Sequence, residues 1–250
     1  FNEPKDLNGW VKLCNEDLNY FEELEEKNNI AQNNVMRNNQ INNIFNRTDL
    51  QKISIISENQ KFDHQEFFNR NSLNNKYELT LLNQLPPLSS CEVLPDSLLN
   101  QDAIIFYLTL PLTAKGLLWL ERIPDDMPSW IVFSINENSS SQSELEALKF
   151  EVPNNFSNKI ITFNHENVKS ANIPFSFRKF TLNAKRNIEN TKKRLLKDLH
   201  SKWQAEIESI RRLKLREIQQ KNQLLVAATV FASPIPSIDV LTMTVLNGLM

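Results

Sequence analysis

Residues 224–250, LLVAATVFASPIPSIDVLTMTVLNGLM, restrict what this chain can become more than any other stretch. The run is apolar almost throughout, and Asp239 is its only charge. Pro234 and Pro236 cannot both lie inside one regular helix, because each removes a backbone donor and crowds the preceding turn. The run therefore predicts two short apolar helices joined by a proline turn. Each arm is short for a bilayer span, which needs roughly 20 apolar residues. That leaves an apolar helical hairpin, either buried in protein or inserted in a membrane. Asp239 is expected to cap the second arm through the free N–H groups of Val240–Thr242, or else to pair with a basic residue. Arg211, Arg212, Lys214, Arg216 and Lys221 precede the run. Basic residues beside an apolar segment favour the cytoplasmic side and attract anionic lipid. Those five and Asp239 are the candidate lipid-contact residues.

Composition closes off several other chemistries. The formal charge is −2, so no global basic signature points to nucleic acid. Cys14 and Cys91 are isolated, which argues against a disulfide framework or a thiolate metal site. His64, His165 and His200 lie far apart, with no neighbouring ligand at zinc spacing. Phe1 is not an initiator and Met250 stops inside an apolar run, as expected of a fragment; no secretory signal opens the chain. The glycines are Gly9, Gly116 and Gly248. This scarcity matters, because phosphate loops need glycine where backbone approaches a phosphate.

Periodicity divides the remainder. Residues 1–50 read as helical: Trp10, Leu13, Leu18, Phe21 and Leu24 form one stripe, Glu22–Glu26 an exposed acidic segment, and Ile30, Val35, Ile41, Ile44 and Phe45 the apolar face of a second helix. Residues 51–180 alternate strand and helix. Strands are predicted at Lys52–Ile56, Tyr77–Leu82, Ala103–Leu108, Trp130–Ile135 and Lys159–Phe163, and helices at Gln65–Asn69, Thr113–Arg122 and Ser141–Leu148. Unbroken apolar runs such as Ala103–Leu108 mark strands covered on both faces, so the expected architecture is an α/β layer with a mostly parallel sheet. Residues 181–250 continue as one long polar helix, Thr181–Gln223, leading into the apolar hairpin.

This order of elements, together with Ala232–Asp239 in the tail, resembles bacterial G-domain proteins related to the Era and dynamin-like GTPases. Many of these end in a YcjF-type domain (domain of unknown function 697), whose tail carries a small residue, Pro-x-Pro and then Asp. The resemblance implies a Ras-like sheet that would bind GTP and magnesium. The nucleotide motifs do not follow. A phosphate loop after the first strand would place its glycines at Ser57 and Phe62, its lysine at Asp63 and its hydroxyl at His64. The next motif, Asp-x-x-Gly, falls on Asn83–Pro86 and lacks both acid and glycine. The guanine-reading Asn-Lys-x-Asp falls on Asn136–Ser139, where Asn136 remains and Ser139 replaces the aspartate.

The expected function is that of a non-catalytic pseudo-GTPase scaffold on the cytoplasmic face of a membrane. It would have no cofactor and no nucleic-acid partner. Anionic lipid, a protein of unknown identity or a second copy are the expected partners. Two alternatives stand beside it: a working GTPase with divergent loops, and a soluble helical interaction module.

Overall fold

The computed structural model describes residues 3–24, 27–48, 50–58, 77–82, 94–108, 111–134, 150–163 and 172–232. Within them, β1 (Gln51–Ser57), β2 (Tyr77–Leu82), β3 (Ala103–Tyr107), β4 (Ser129–Ser134) and β5 (Ile160–Phe163) form one sheet, ordered β2-β1-β3-β4-β5. Every neighbouring pair is parallel. All five lie where the periodicity predicts them, within a residue or two at each end. The predicted helices at Gln65–Asn69 and Ser141–Leu148 lie outside the described residues.

The apolar strands explain why the sheet is central. β3 is buried at every position, so its two faces need two covers. Ile104 and Phe106 join Ile56, Ile131 and Phe133 on one face, against Leu98, Trp119, Leu120, Ile123 and Phe156. Those residues come from two helices, α3 (Asp96–Leu99) and α4 (Ala114–Arg122) with its C-cap Ile123, and from a 3-10 turn at Asn154–Phe156. Ala103, Ile105 and Tyr107 join Ile53, Ile55, Trp130 and Val132 on the other face, beneath Phe177 and Phe180 of α5 (Phe175–Leu182). Trp130 meets both phenyl rings at 5.0 Å and its indole N–H donates to Ser176. β2 is the half-exposed edge strand, tied across the pair by Lys52 and Glu78 at 3.4 Å.

Three further helices complete the described chain: α1 (Leu7–Leu24), α2 (Lys27–Phe45) and α6 (Ala184–Ala232). The helix predicted from Thr181 begins later. Asn183 is not helical and separates α5 from α6. Its side-chain amide donates to Lys179 O at 2.7 Å, and that of Asn187 to Phe180 O at 2.6 Å. These bonds satisfy carbonyls that a helix end leaves open, so the break is stabilised locally. At its other end α6 continues past Gln223 to Ala232, so the first predicted apolar arm starts as a continuation of the long helix.

The described residues of Phe1–Leu7 and Asn42–Leu196 make one compact unit, and those of Asn8–Ile41 and Lys197–Met250 make another. In the second unit, Trp10, Cys14, Asp17, Leu18 and Phe21 are the buried stripe of α1, with Trp203 and Ile207 buried on α6. Phe21 meets Trp203 edge-on at 6.2 Å. α2 departs from the expected apolar face. Ile41 is buried as expected, but Val35 and Phe45 are exposed, and Arg37 is buried. Its guanidinium lies 3.4 Å from the centre of the Phe21 ring and 2.9 Å from Glu206. An arginine fits here because its planar, weakly hydrated head can stack on a ring while it binds a carboxylate.

Candidate functional site

In a doubly wound sheet, ligands bind outside the carboxyl ends of the strands where the order reverses. Here the chain moves from β1 to β2 on one side and to β3 on the other, so that point lies between β1 and β3. Ser57 ends β1, is buried, and sits opposite Tyr107. Glu58 follows it, with its backbone N–H donating to Tyr107 O at 3.0 Å. Its carboxylate is only 7% exposed as a residue. Thr113 donates its hydroxyl to Glu58 Oε1 and in turn accepts the Gly116 N–H at 3.0 Å. Thr113 is thereby the N-cap of α4, and Glu58 fixes the cap. Glu58 Oε2 is buried with no hydrogen-bond partner among the described residues. Gly116 faces it: a Cβ at Gly116 would sit 3.8 Å from Oε2 and 3.3 Å from the Thr113 hydroxyl.

Of the six nucleotide positions inferred from the motifs, Ser57 is at this crevice. Phe62, Asp63, His64, Asn136 and Ser139 lie outside the described residues, as does the Asn83–Pro86 stretch. Sequence reasoning passed over Glu58. The available signal was a carboxylate immediately after a buried strand, a position where a side chain points into the crevice rather than to solvent. A triphosphate needs backbone N–H groups and a cation at that position. The described residues instead present a buried carboxylate.

The lipid-contact candidates lie along α6, except Asp239, which is outside the described residues. Lys214 donates to the Leu24 carbonyl oxygen. Arg211 lies 5.3 Å from the centre of the Tyr20 ring. Arg212 donates to Glu208 at 3.0 Å, one turn back. Arg216 and Lys221 are exposed, with no ion-pair partner among the described residues. Arg212 and Arg216 line a groove of about 390 Å³ with Ala205, Glu208, Ser209 and Leu213.

Two buried charged clusters elsewhere are structural. In the first unit, Arg47 forks onto Asp102 at 2.6 and 2.9 Å, and Asp102 also accepts the Lys52 N–H at 2.8 Å. Arg194 donates to the carbonyls of Leu99 and Gln101 at 3.1 and 2.6 Å. Burial disfavours its charge, while Asp126 and Asp102 favour it. In the second unit, Asp17 bonds His200 Nδ1 at 2.6 Å and accepts from Gln204. The ring of His200 rests against Trp10. Cys14, one turn before Asp17, is fully buried, and burial followed by the Asp17 charge pushes its thiol up to about 12. A thiol that stays protonated is not a nucleophile, so Cys, His and Asp do not make a catalytic set here. Among the described residues no cluster of three His, Cys, Asp or Glu could hold a metal ion.

The match to known proteins begins inside α6. Residues 194–250 match a family model described as Domain of unknown function (DUF697). The described part of this DUF697 segment is α6 from Arg194 to Ala232, so it carries Arg194 at one end and the basic residues farther along. No curated protein and no solved structure matches the chain. The order β2-β1-β3-β4-β5 does not choose a family by itself, since more than one nucleotide-binding doubly wound fold uses it.

Proposed function

We propose that this chain is a non-catalytic scaffold: a G-like α/β domain that has lost nucleotide binding, attached by its DUF697 segment to the cytoplasmic face of a membrane. The observation that carries the reading is Glu58 at the point where β1 ends. Two like unit charges about 4 Å apart repel by roughly 4 kcal/mol in a partly shielded protein site, enough to lower binding by about a thousandfold. Three failed motifs support the same reading: the phosphate loop, with Ser57 and Phe62 for glycine and Asp63 for lysine; Asp-x-x-Gly, with Asn83 for the acid and Pro86 for the glycine; and Asn-Lys-x-Asp, with Ser139 for the guanine-reading aspartate. The membrane part is supported by the basic and apolar residues exposed together on α6. No helix among the described residues is long and apolar enough to cross a membrane, so α6 would contribute at the membrane surface.

The test is thermal denaturation of the whole chain with saturating GTP or GDP and magnesium. A ligand at a hundred times its Kd would stabilise the native state by about 2.7 kcal/mol, raising Tm by about 5 °C or more. The reading predicts an unchanged Tm. A rise of that size would restore the working GTPase.

A further inference from the structure

We propose that the outer face of α5, carried by Phe175, Arg178, Lys179 and Leu182, is a contact surface for an anionic phospholipid bilayer. This deepens the membrane reading above, rests on it, and adds a contact outside the DUF697 segment.

The four residues form one surface. They stand at i, i+3, i+4 and i+7, so at 3.6 residues per turn they fall within about 100° of helix circumference. Phe177 and Phe180 lie on the opposite side, buried against the sheet beside Trp130. That packing fixes which side of α5 faces outward. All four outward residues are exposed, Phe175 at 78% and Leu182 at 84%. The two apolar side chains stand about 10 Å apart along the axis, one at each end of α5, with the two cations between them. Both gain from a partner that removes them from water.

Charge selects the partner. Residues 172–188 hold Arg178, Lys179, Lys185 and Arg186 and no acid, in a chain whose formal charge is −2. Neither Arg178 nor Lys179 has an ion-pair partner among the described residues. The partner is therefore anionic and also takes apolar side chains. A second copy docked face to face would set Arg178 and Lys179 against their own counterparts. A nucleic acid would neutralise the cations and leave Leu182 in water. A bound acidic peptide would need a groove, and Phe175 and Leu182 are too exposed to have walls beside them. An anionic bilayer surface accepts both kinds of side chain, because apolar ones enter the acyl boundary while long basic ones reach the headgroups.

The experiment is co-sedimentation of the whole chain with vesicles of phosphatidylcholine alone or mixed with phosphatidylglycerol. Wild type should bind the mixed vesicles and not the neutral ones, and added salt should weaken the binding. R178E/K179E should lower partitioning by about tenfold or more. F175S/L182S should lower it as well, and K12E, at an exposed lysine of α1, should leave it unchanged. All these positions are exposed, so the variants should keep the wild-type Tm. F175W reads the contact directly. The native tryptophans, Trp10, Trp119, Trp130 and Trp203, are buried, so vesicles with brominated acyl chains should quench F175W more strongly than wild type. If wild type binds while both altered faces bind equally well, or F175W is quenched no more than wild type, the contact lies elsewhere and only this inference falls. If wild type binds neither vesicle, this inference and the membrane reading fall together. If R178E/K179E abolishes binding and F175S/L182S does not weaken it, the face takes a polyanion such as nucleic acid, which overturns the assignment to a bilayer. If F175S/L182S turns a dimer into a monomer while vesicle binding stays the same, the occupant is a second copy, which overturns it too.

Discussion

Asp102 accepts three hydrogen bonds on one carboxylate. It takes two bonds from the Arg47 guanidinium and one from the Lys52 N–H, while its side chain is wholly buried. Such a pair is a poor guide to net stability, since desolvation offsets much of the attraction, but losing one partner leaves the other charged and unpaired. Asp102→Ala should destabilise the chain by about 3–5 kcal/mol in urea denaturation. Arg47→Met with Asp102→Leu should recover a good part of that. Cys14 gives a second prediction. Its thiol pKa rises from 9.0 to about 12 in the fold. The neutral thiol is thus the form the fold favours: its contribution is complete below pH 9 and is lost as pH rises toward 12. Native protein at pH 8.5 should resist alkylation at Cys14 by iodoacetamide, as read by peptide mapping, whereas urea-unfolded protein should react. Rapid labelling of the native chain would contradict the burial. Neither the Asp102 pair nor the Asp17–His200 contact was legible in the sequence. Asp102 is 55 residues from Arg47, and Asp17 is 183 from His200. No local period links residues so far apart.

Elements with one strong period were legible, and those defined by a single residue's conformation were not. β3 and β4 were found because five consecutive buried side chains leave no polar face to mislead. α5 was not predicted, and the long helix was placed from Thr181, because no proline or glycine marks the boundary between the two; the amides of Asn183 and Asn187 close the end of α5 instead. The apolar face of α2 was read only in part: Ile41 is buried as expected, but Val35 and Phe45 are exposed and Arg37 takes a buried position that hydropathy assigns to solvent. α4 was found, but not what holds its start. Thr113 both caps the helix and binds Glu58. Thr113→Ala should cost about 2 kcal/mol, the sum of a lost cap and a buried hydrogen bond, while Thr113→Ser should cost little. Equal losses for both would mean that the methyl group, not the hydroxyl, matters.

At the level of the whole molecule, the sheet is a doubly wound layer with both faces covered; its parallel pairing was foreseeable from strands alternating with helices, and its strand order was not. The crevice at the carboxyl edge was foreseeable only as an absence of motifs. What occupies it, a carboxylate fixed by a threonine, comes from Glu58 and Thr113 meeting across the β1–β3 boundary, a contact no spacing rule provides. That substitution of charge is the central claim. Isothermal titration calorimetry of GTP and of GDP into the whole chain, with magnesium and with folding verified in the same sample, addresses it most directly. The account predicts only heats of dilution at ligand concentrations up to the millimolar range. Saturable binding in the micromolar range or tighter would mean that the crevice accepts phosphate despite Glu58, and the chain would have to be read as a nucleotide-binding protein.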